Sequence, residues 1–138
     1  MHITLESDYA VRIVYCLAKN PTRMDAKKIS DETGVTLRFS LKILRKLVAG
    51  GLVKSYKGTK GGYELGRPAS EISLAEVIEN VEGPYALARC VAEDGYQCNR
   101  NVHSASCGIC KFHRIYSDIS QMVRQQLSDV KFSQLIEE

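Results

Sequence analysis

The stretch Asp25-Ala26-Lys27-Lys28-Ile29-Ser30-Asp31-Glu32-Thr33-Gly34-Val35-Thr36-Leu37-Arg38-Phe39-Ser40-Leu41-Lys42-Ile43-Leu44-Arg45-Lys46-Leu47-Val48 decides the fold of this 138-residue chain. Asp25 has the short acceptor side chain that caps a helix, predicted over residues 26–33. Gly34 ends that helix in the left-handed conformation that costs glycine no steric penalty. Two residues later Thr36 caps a third helix of about thirteen residues. Two helices joined by a short glycine turn make a helix-turn-helix. In the second of the pair Leu37, Ile43, Leu44, Leu47 and Val48 are expected to face the core, leaving Arg38, Lys42, Arg45 and Lys46 outside.

Upstream, apolar Ala10, Val11, Ile13, Val14, Leu17 and Ala18 recur at helical spacing from a cap at Ser7 to Lys19, where Asn20-Pro21 stops the helix. Cys16 falls inside it and reads as a small core residue. Downstream, Gly50-Gly51 breaks the helical pattern, residues 52–56 read as a strand, residues 57–62 as a glycine-rich turn and residues 63–65 as the return strand. This hairpin is a wing with Lys57, Thr59, Lys60 and Gly61 at its tip. Ser73 and Glu76 form a capping box for a helix over residues 74–81, which Gly83-Pro84 terminates.

Charge says what the first half touches. Between Thr36 and Lys60 there are seven Lys and Arg and no acid. Residues 1–70 carry thirteen basic against six acidic side chains, a net of +7, and residues 71–138 six against ten, a net of −4. A basic front end in a helix-turn-helix context points to double-stranded DNA. Thr36, Arg38 and Ser40, at the start of the third helix, are expected to face base edges in the major groove, whereas Lys42, Arg45 and Lys46 meet phosphates. The wing tip suits the electronegative minor groove.

Four of the five cysteines crowd into the acidic half as Cys90-x7-Cys98-x8-Cys107-x2-Cys110-x2-His113. In a reducing compartment, clustered cysteines are more often metal ligands than disulfides, and both zinc and iron–sulfur centres need several soft sulfurs converging on one point. Residues 1–8 contain neither a basic nor an apolar leader segment, and no run approaches the ~20 apolar residues of a membrane helix. A cytoplasmic protein with no membrane association is therefore expected. His103, in the same segment, is expected to be a solvated loop residue.

From Phe112 onward, Ile115, Tyr116, Ile119, Met122, Val123 and Leu127 trace an apolar stripe at spacings of three and four. A lone helix cannot bury such a stripe, so a homodimer is expected, its two-fold axis matching a palindromic operator.

The ordered segments Leu41-Lys42-Ile43-Leu44-Arg45-Lys46-Leu47, Gly51-Leu52-Val53, Gly61-Gly62-Tyr63, Glu71-Ile72-Ser73-Leu74 and Val81-Glu82-Gly83-Pro84, with Ser7-Asp8-Tyr9-Ala10 ahead of them, resemble the Rrf-two type of bacterial winged-helix transcription regulators, among them IscR, NsrR, RirA and CymR. The resemblance covers nearly the whole chain. It implies an iron–sulfur cluster, two-iron or four-iron, held by three cysteines and one other ligand, and sensing of redox state, nitric oxide or iron–sulfur status. In the IscR branch the other ligand is the His of a Cys-x2-His, matched by Cys110-Lys111-Phe112-His113. In the NsrR branch it is an Asp of the first helix, whose place Asp8 takes. The chain departs from the pattern: the cysteine gaps are longer, and four cysteines stand where three are expected. Cys90, Cys98 and either Cys107 or Cys110, or all four sulfurs, remain open as the ligand set. The alternative is a regulator of the same family without a cluster, controlled by a protein partner, by thiol oxidation or by zinc.

An enzyme is not expected, because no nucleophile, base and orienting group can be picked out together. The expected architecture is mostly α with a small β wing. It comprises a winged helix-turn-helix DNA-binding domain over residues 1–68, a linking helix and cysteine-rich segment over 69–111, and a dimerisation helix and tail over 112–138.

Overall fold

Thr4, rather than Ser7, opens the first helix in the computed structural model, which describes residues 2–92, 96, 98 and 110–137. Its hydroxyl accepts the Ser7 N–H at 3.2 Å, so α1 (Leu5–Lys19) begins one turn ahead of the expected cap, and Ser7 is buried inside that first turn. The substitute is chemically equivalent: a threonine hydroxyl satisfies an orphan N–H as a serine would.

The helix-turn-helix follows the local signals. Asp25 caps α2 (Ala26–Thr33) by accepting the Lys28 N–H at 2.8 Å. Gly34, at φ 76°, turns its N–H back to the Ser30 carbonyl. Thr36 caps α3 (Leu37–Ala49) through the Phe39 N–H at 3.3 Å. The wing is an antiparallel pair, β1 (Val53–Tyr56) and β2 (Gly62–Leu65), with Val53 opposite Leu65 and Tyr56 opposite Gly62. Backbone bonds between Met24 and Tyr63, 2.8 and 3.0 Å, tie its return strand to the chain entering α2. Arg23 stacks 3.3 Å over the Tyr56 ring and pairs with Glu64 at 3.5 Å, which braces the wing from the same side.

A 3₁₀ turn (Ala69–Glu71) leads to α4 (Leu74–Glu82), where Ser73 and Glu76 make the expected capping box. The long helix α5 (Lys111–Asp129) follows, and then a short α6 (Phe132–Ile136) that the sequence did not announce. The α6 segment returns to the front of the molecule. Phe132 N–H donates to the Ile72 carbonyl at 3.1 Å, Leu74 N–H to the Val130 carbonyl at 2.9 Å, and the Phe132 ring is fully buried. One hydrophobic cluster joins Ile13, Val14 and Leu17 of α1, Ile43, Leu44 and Leu47 of α3, Val77 of α4 and Phe132. Among the described residues no helix is long and apolar enough to cross a membrane.

Candidate nucleic-acid interface and sulfur-rich segment

Helix α3 has two faces set by its period. Ser40, Ile43, Leu44 and Leu47, spaced by three and four, are buried. Arg38, Leu41, Lys42 and Arg45 are exposed together on the opposite side. Ser40 was expected at the base edges, and the structure corrects this. It is fully buried, and its hydroxyl turns to the Val35 carbonyl at 3.4 Å. Its spacing from Ile43, Leu44 and Leu47 was the available signal. Leu37 is the reverse case: placed in the core by its residue type, it is 46% exposed at the first position of α3, before the core begins.

Thr36 is exposed beside Arg38, with its hydroxyl engaged in capping. Lys46 behaves differently from Lys42 and Arg45. Its ammonium lies 2.6 Å from the Glu6 carboxylate of α1, with Lys42 at 3.6 Å from the same oxygen. These pairs anchor one flank of α3 to α1. The other flank, carrying Leu41 and Arg45, faces Ser55 and Tyr63 of the wing across a shallow crease. Lys57, Thr59 and Lys60 are exposed at the wing tip, Gly61 is half-buried there, and Lys54 adds an exposed cation on β1.

Lys46 holds the Glu6 carboxyl below its ordinary 4.5 by hydrogen bonding, against a smaller opposing effect of burial. The folded chain therefore releases that proton more readily than the unfolded chain. The resulting stability is complete above the unfolded value and is lost as pH falls through the lower folded one. Glu6→Gln is expected to lower the urea midpoint at neutral pH, and the gap from the parent should close at acid pH, once pH has fallen through the lowered folded value. An equal gap at both pH values would mean that the charge pair is not its source.

The other half of the expected site is described in part. Cys90 and Cys98 are half-buried free thiols. Cys90 lies in a turn closed by backbone bonds from Val91 to Ala88 and from Ala92 to Arg89. Cys110 is half-buried at the N-cap of α5. His113 stands half-buried in the first turn of the same helix. Cys107 and His103 lie outside the described residues. Among the described residues no three His, Cys, Asp or Glu side chains converge to hold a metal. Asp8, in the first turn of α1, pairs with Arg12 at 2.7 Å. Cys16 is a core residue with a different character from the others. Burial, and then the neighbouring Glu32 carboxylate, push its thiol up to about 11, so it stays protonated at neutral pH.

The two halves meet at the last turn of α4. Glu79 pairs with Arg124 of α5 at 3.1 Å. Asn80 donates to the Lys46 carbonyl of α3 at 3.1 Å, a second hydrogen bond on an oxygen that also accepts the Gly50 N–H at 3.0 Å. Glu82 accepts from the N–H and hydroxyl of Thr4. Gly50 makes room for this docking, since a Cβ there would collide with the Asn80 carboxamide. Sequence reasoning had no signal for the junction, because all its partners are distant in the chain.

Comparison with known proteins places this geometry. Residues 3–138 match the Rrf2 family, described as iron-dependent transcriptional regulators. The HTH-type transcriptional regulator IscR of Photorhabdus laumondii is 30% identical over 138 residues, 99% of this chain and 79% of the relative. Protein aau3 of Rhizobium meliloti is 37% identical over 99 residues, 71% of this chain, and the match spans 64% of that relative's length. Among solved structures, CymR, the global cysteine regulator of B. subtilis, superposes with a TM-score of 0.76 at 22% identity, covering 99% of this chain and 97% of that one. IscR of T. potens gives 0.76 at 17% identity, covering 99% and 87%. These two likenesses establish the winged-helix fold. With the family match over almost all of its length, the chain belongs to the Rrf2 family, a family of transcriptional regulators rather than of enzymes.

Proposed function

We propose that this chain is a homodimeric cytoplasmic regulator that binds a palindromic operator through α3 and the wing, and whose sulfur-rich segment holds an iron–sulfur cluster that sets its DNA affinity. The carrying observation is the Asn80 side chain on the Lys46 carbonyl. Through it the helix that leads into the cysteines is joined directly to the end of the reading helix. The exposed stripe of Phe112, Ile115, Ile119 and Met122 along α5 supports self-association.

The donor set suits a cluster: Cys90, Cys98 and Cys110 are soft ligands outside the sealed core, with Cys110 at the N-cap of α5. Cys90, Cys98 and Cys107 or Cys110 would hold it, with His113 or Asp8 as the non-sulfur ligand. When bound, such a group supplies metal–thiolate bonds whose strength changes with oxidation or nitrosylation. The chain's own residues do the rest. A change in where Cys90 sits relative to Cys110 pulls on the α4 end through Gly83-Pro84. Glu79, Asn80 and Glu82 then pass it to α5, α3 and α1. Only a ligand state with unequal DNA affinity in its two forms can act as a switch, and DNA must then shift the ligand equilibrium in return.

The second reading, a regulator without a cluster that responds to a protein partner, to thiol oxidation or to zinc, draws on the likeness to CymR.

Two substitutions test the DNA face. Arg38→Ala is expected to relax sequence preference, because a guanidinium at the start of α3 reads a base edge. Lys42→Ala should weaken every duplex alike and flatten the salt dependence by about one phosphate contact per protomer. Equal loss of sequence preference in both variants counts against the assignment.

A further inference from the structure

Leu41 is 41% exposed in the middle of the cationic face of α3, one turn after Arg38 and one turn before Arg45. It borders two depressions at once, the one beside Arg38 and Lys42 and the crease beside Ser55 and Tyr63 of the wing. Phe39, another exposed apolar residue of this helix, has an internal role, packing edge-on against Tyr9 with centroids 5.7 Å apart. Leu41 lies away from the buried side formed by Ser40, Ile43, Leu44 and Leu47.

A single exposed leucine is ordinary on a protein surface. What distinguishes this one is its ring of cations. Arg38, Lys42 and Arg45 draw a polyanion onto this face, so the leucine becomes covered when the duplex binds. A base edge in the major groove presents one apolar group, the C5-methyl of thymine. The guanidinium groups beside Leu41 suit the guanine edges and phosphates on either side.

Resting on the reading that α3 enters the major groove, we infer that Leu41 is a specificity-determining residue that packs on a thymine C5-methyl in each half-site. Arg38 then reads a hydrogen-bonding edge and Leu41 the adjacent apolar one. The operator carries a required thymine that no hydrogen bond explains.

The test begins with the full-length protein, purified anaerobically, selecting its preferred duplex from a randomised pool. Each thymine of that duplex is then replaced in turn by deoxyuridine, which removes the methyl and nothing else. Dissociation constants are read by fluorescence anisotropy at fixed salt. One position per half-site is expected to lose about fourfold in affinity, matching the ~0.8 kcal/mol of one buried methylene-sized group. Leu41→Ala, which alters both protomers, should lose about sixteenfold on the unmodified duplex, twice the ~0.8 kcal/mol of one contact, matching the parent on a duplex with deoxyuridine in both half-sites, and should show no further loss on that doubly substituted duplex, as two partners of one contact must. Leu41→Met, which keeps an apolar side chain, should retain the methyl dependence and guards against misfolding of the alanine variant.

Binding without a deoxyuridine penalty at any position overturns the inference, and so does a penalty that survives in Leu41→Ala. Failure of the wider DNA reading looks different: the protein would select no duplex, and Lys42→Ala would leave binding unchanged.

Discussion

Phe132→Ala is expected to destabilise the chain by about 3–5 kcal/mol, the usual cost of truncating a fully buried aromatic ring. Small domains are stable by only about 5–15 kcal/mol in total, so this removes a large share. The residue belongs to a helix of five residues, yet its ring lies at 0% exposure in the same cluster as Ile13 of α1 and Ile43 of α3. Its neighbours fix its position twice over, through the Phe132–Ile72 and Leu74–Val130 backbone bonds. The surrounding elements cannot collapse inward without breaking those bonds, so the cavity should persist. Urea unfolding monitored by circular dichroism measures the loss. A change below about 0.5 kcal/mol, the level of an ordinary surface substitution, would show that α6 is peripheral.

The double substitution Ile119→Glu with Met122→Glu is expected to convert the protein to a monomer. Both residues are exposed in the single chain, at 38% and 68%, so each chain should keep its fold. In the dimer the same positions would bury four carboxylates, and uncompensated buried charge is far costlier than the apolar contact it replaces. A monomer can engage one half-site at a time and loses the effective concentration that links the second. Operator affinity should then fall by about 100-fold or more, within the range that avidity contributes. Sedimentation velocity and operator titration read the two consequences separately. A variant that stays dimeric places the interface elsewhere. A monomer with unchanged affinity removes the link between association and palindromic DNA.

Legibility in the sequence followed the range of the forces involved. The α2–α3 turn could be read from Asp25, Gly34 and Thr36 because caps and left-handed glycines act within a few residues. The wing could be read for the same reason, from its glycines and alternating strands. Thr4 and Ser7 offer the same hydroxyl three residues apart, so the start of α1 is ambiguous by a turn in the sequence, and Thr4 is also held by Glu82, 78 positions away. The helix α6 escaped notice because five residues show no period, and its stability comes from Ile72 and α1 rather than from itself. Ser40 and Leu37 show a different limit. Residue type suggested a polar side chain outside and an apolar one inside, but position along α3 decided both. The basic face was legible as composition, whereas its division into a flank held by Glu6 and a flank open to the wing required coordinates. The spacing of the cysteines was legible, and Cys107 lies outside the described residues.

The most direct measurement combines iron and acid-labile sulfide per subunit in anaerobically purified protein with operator affinity before and after removal of the metal. A brown protein is expected, with iron and sulfide in comparable amounts and a marked change in affinity on removal, and with Cys98→Ala lacking both. Colourless protein, free of iron and sulfide even after reconstitution and with one affinity throughout, would contradict the proposed function.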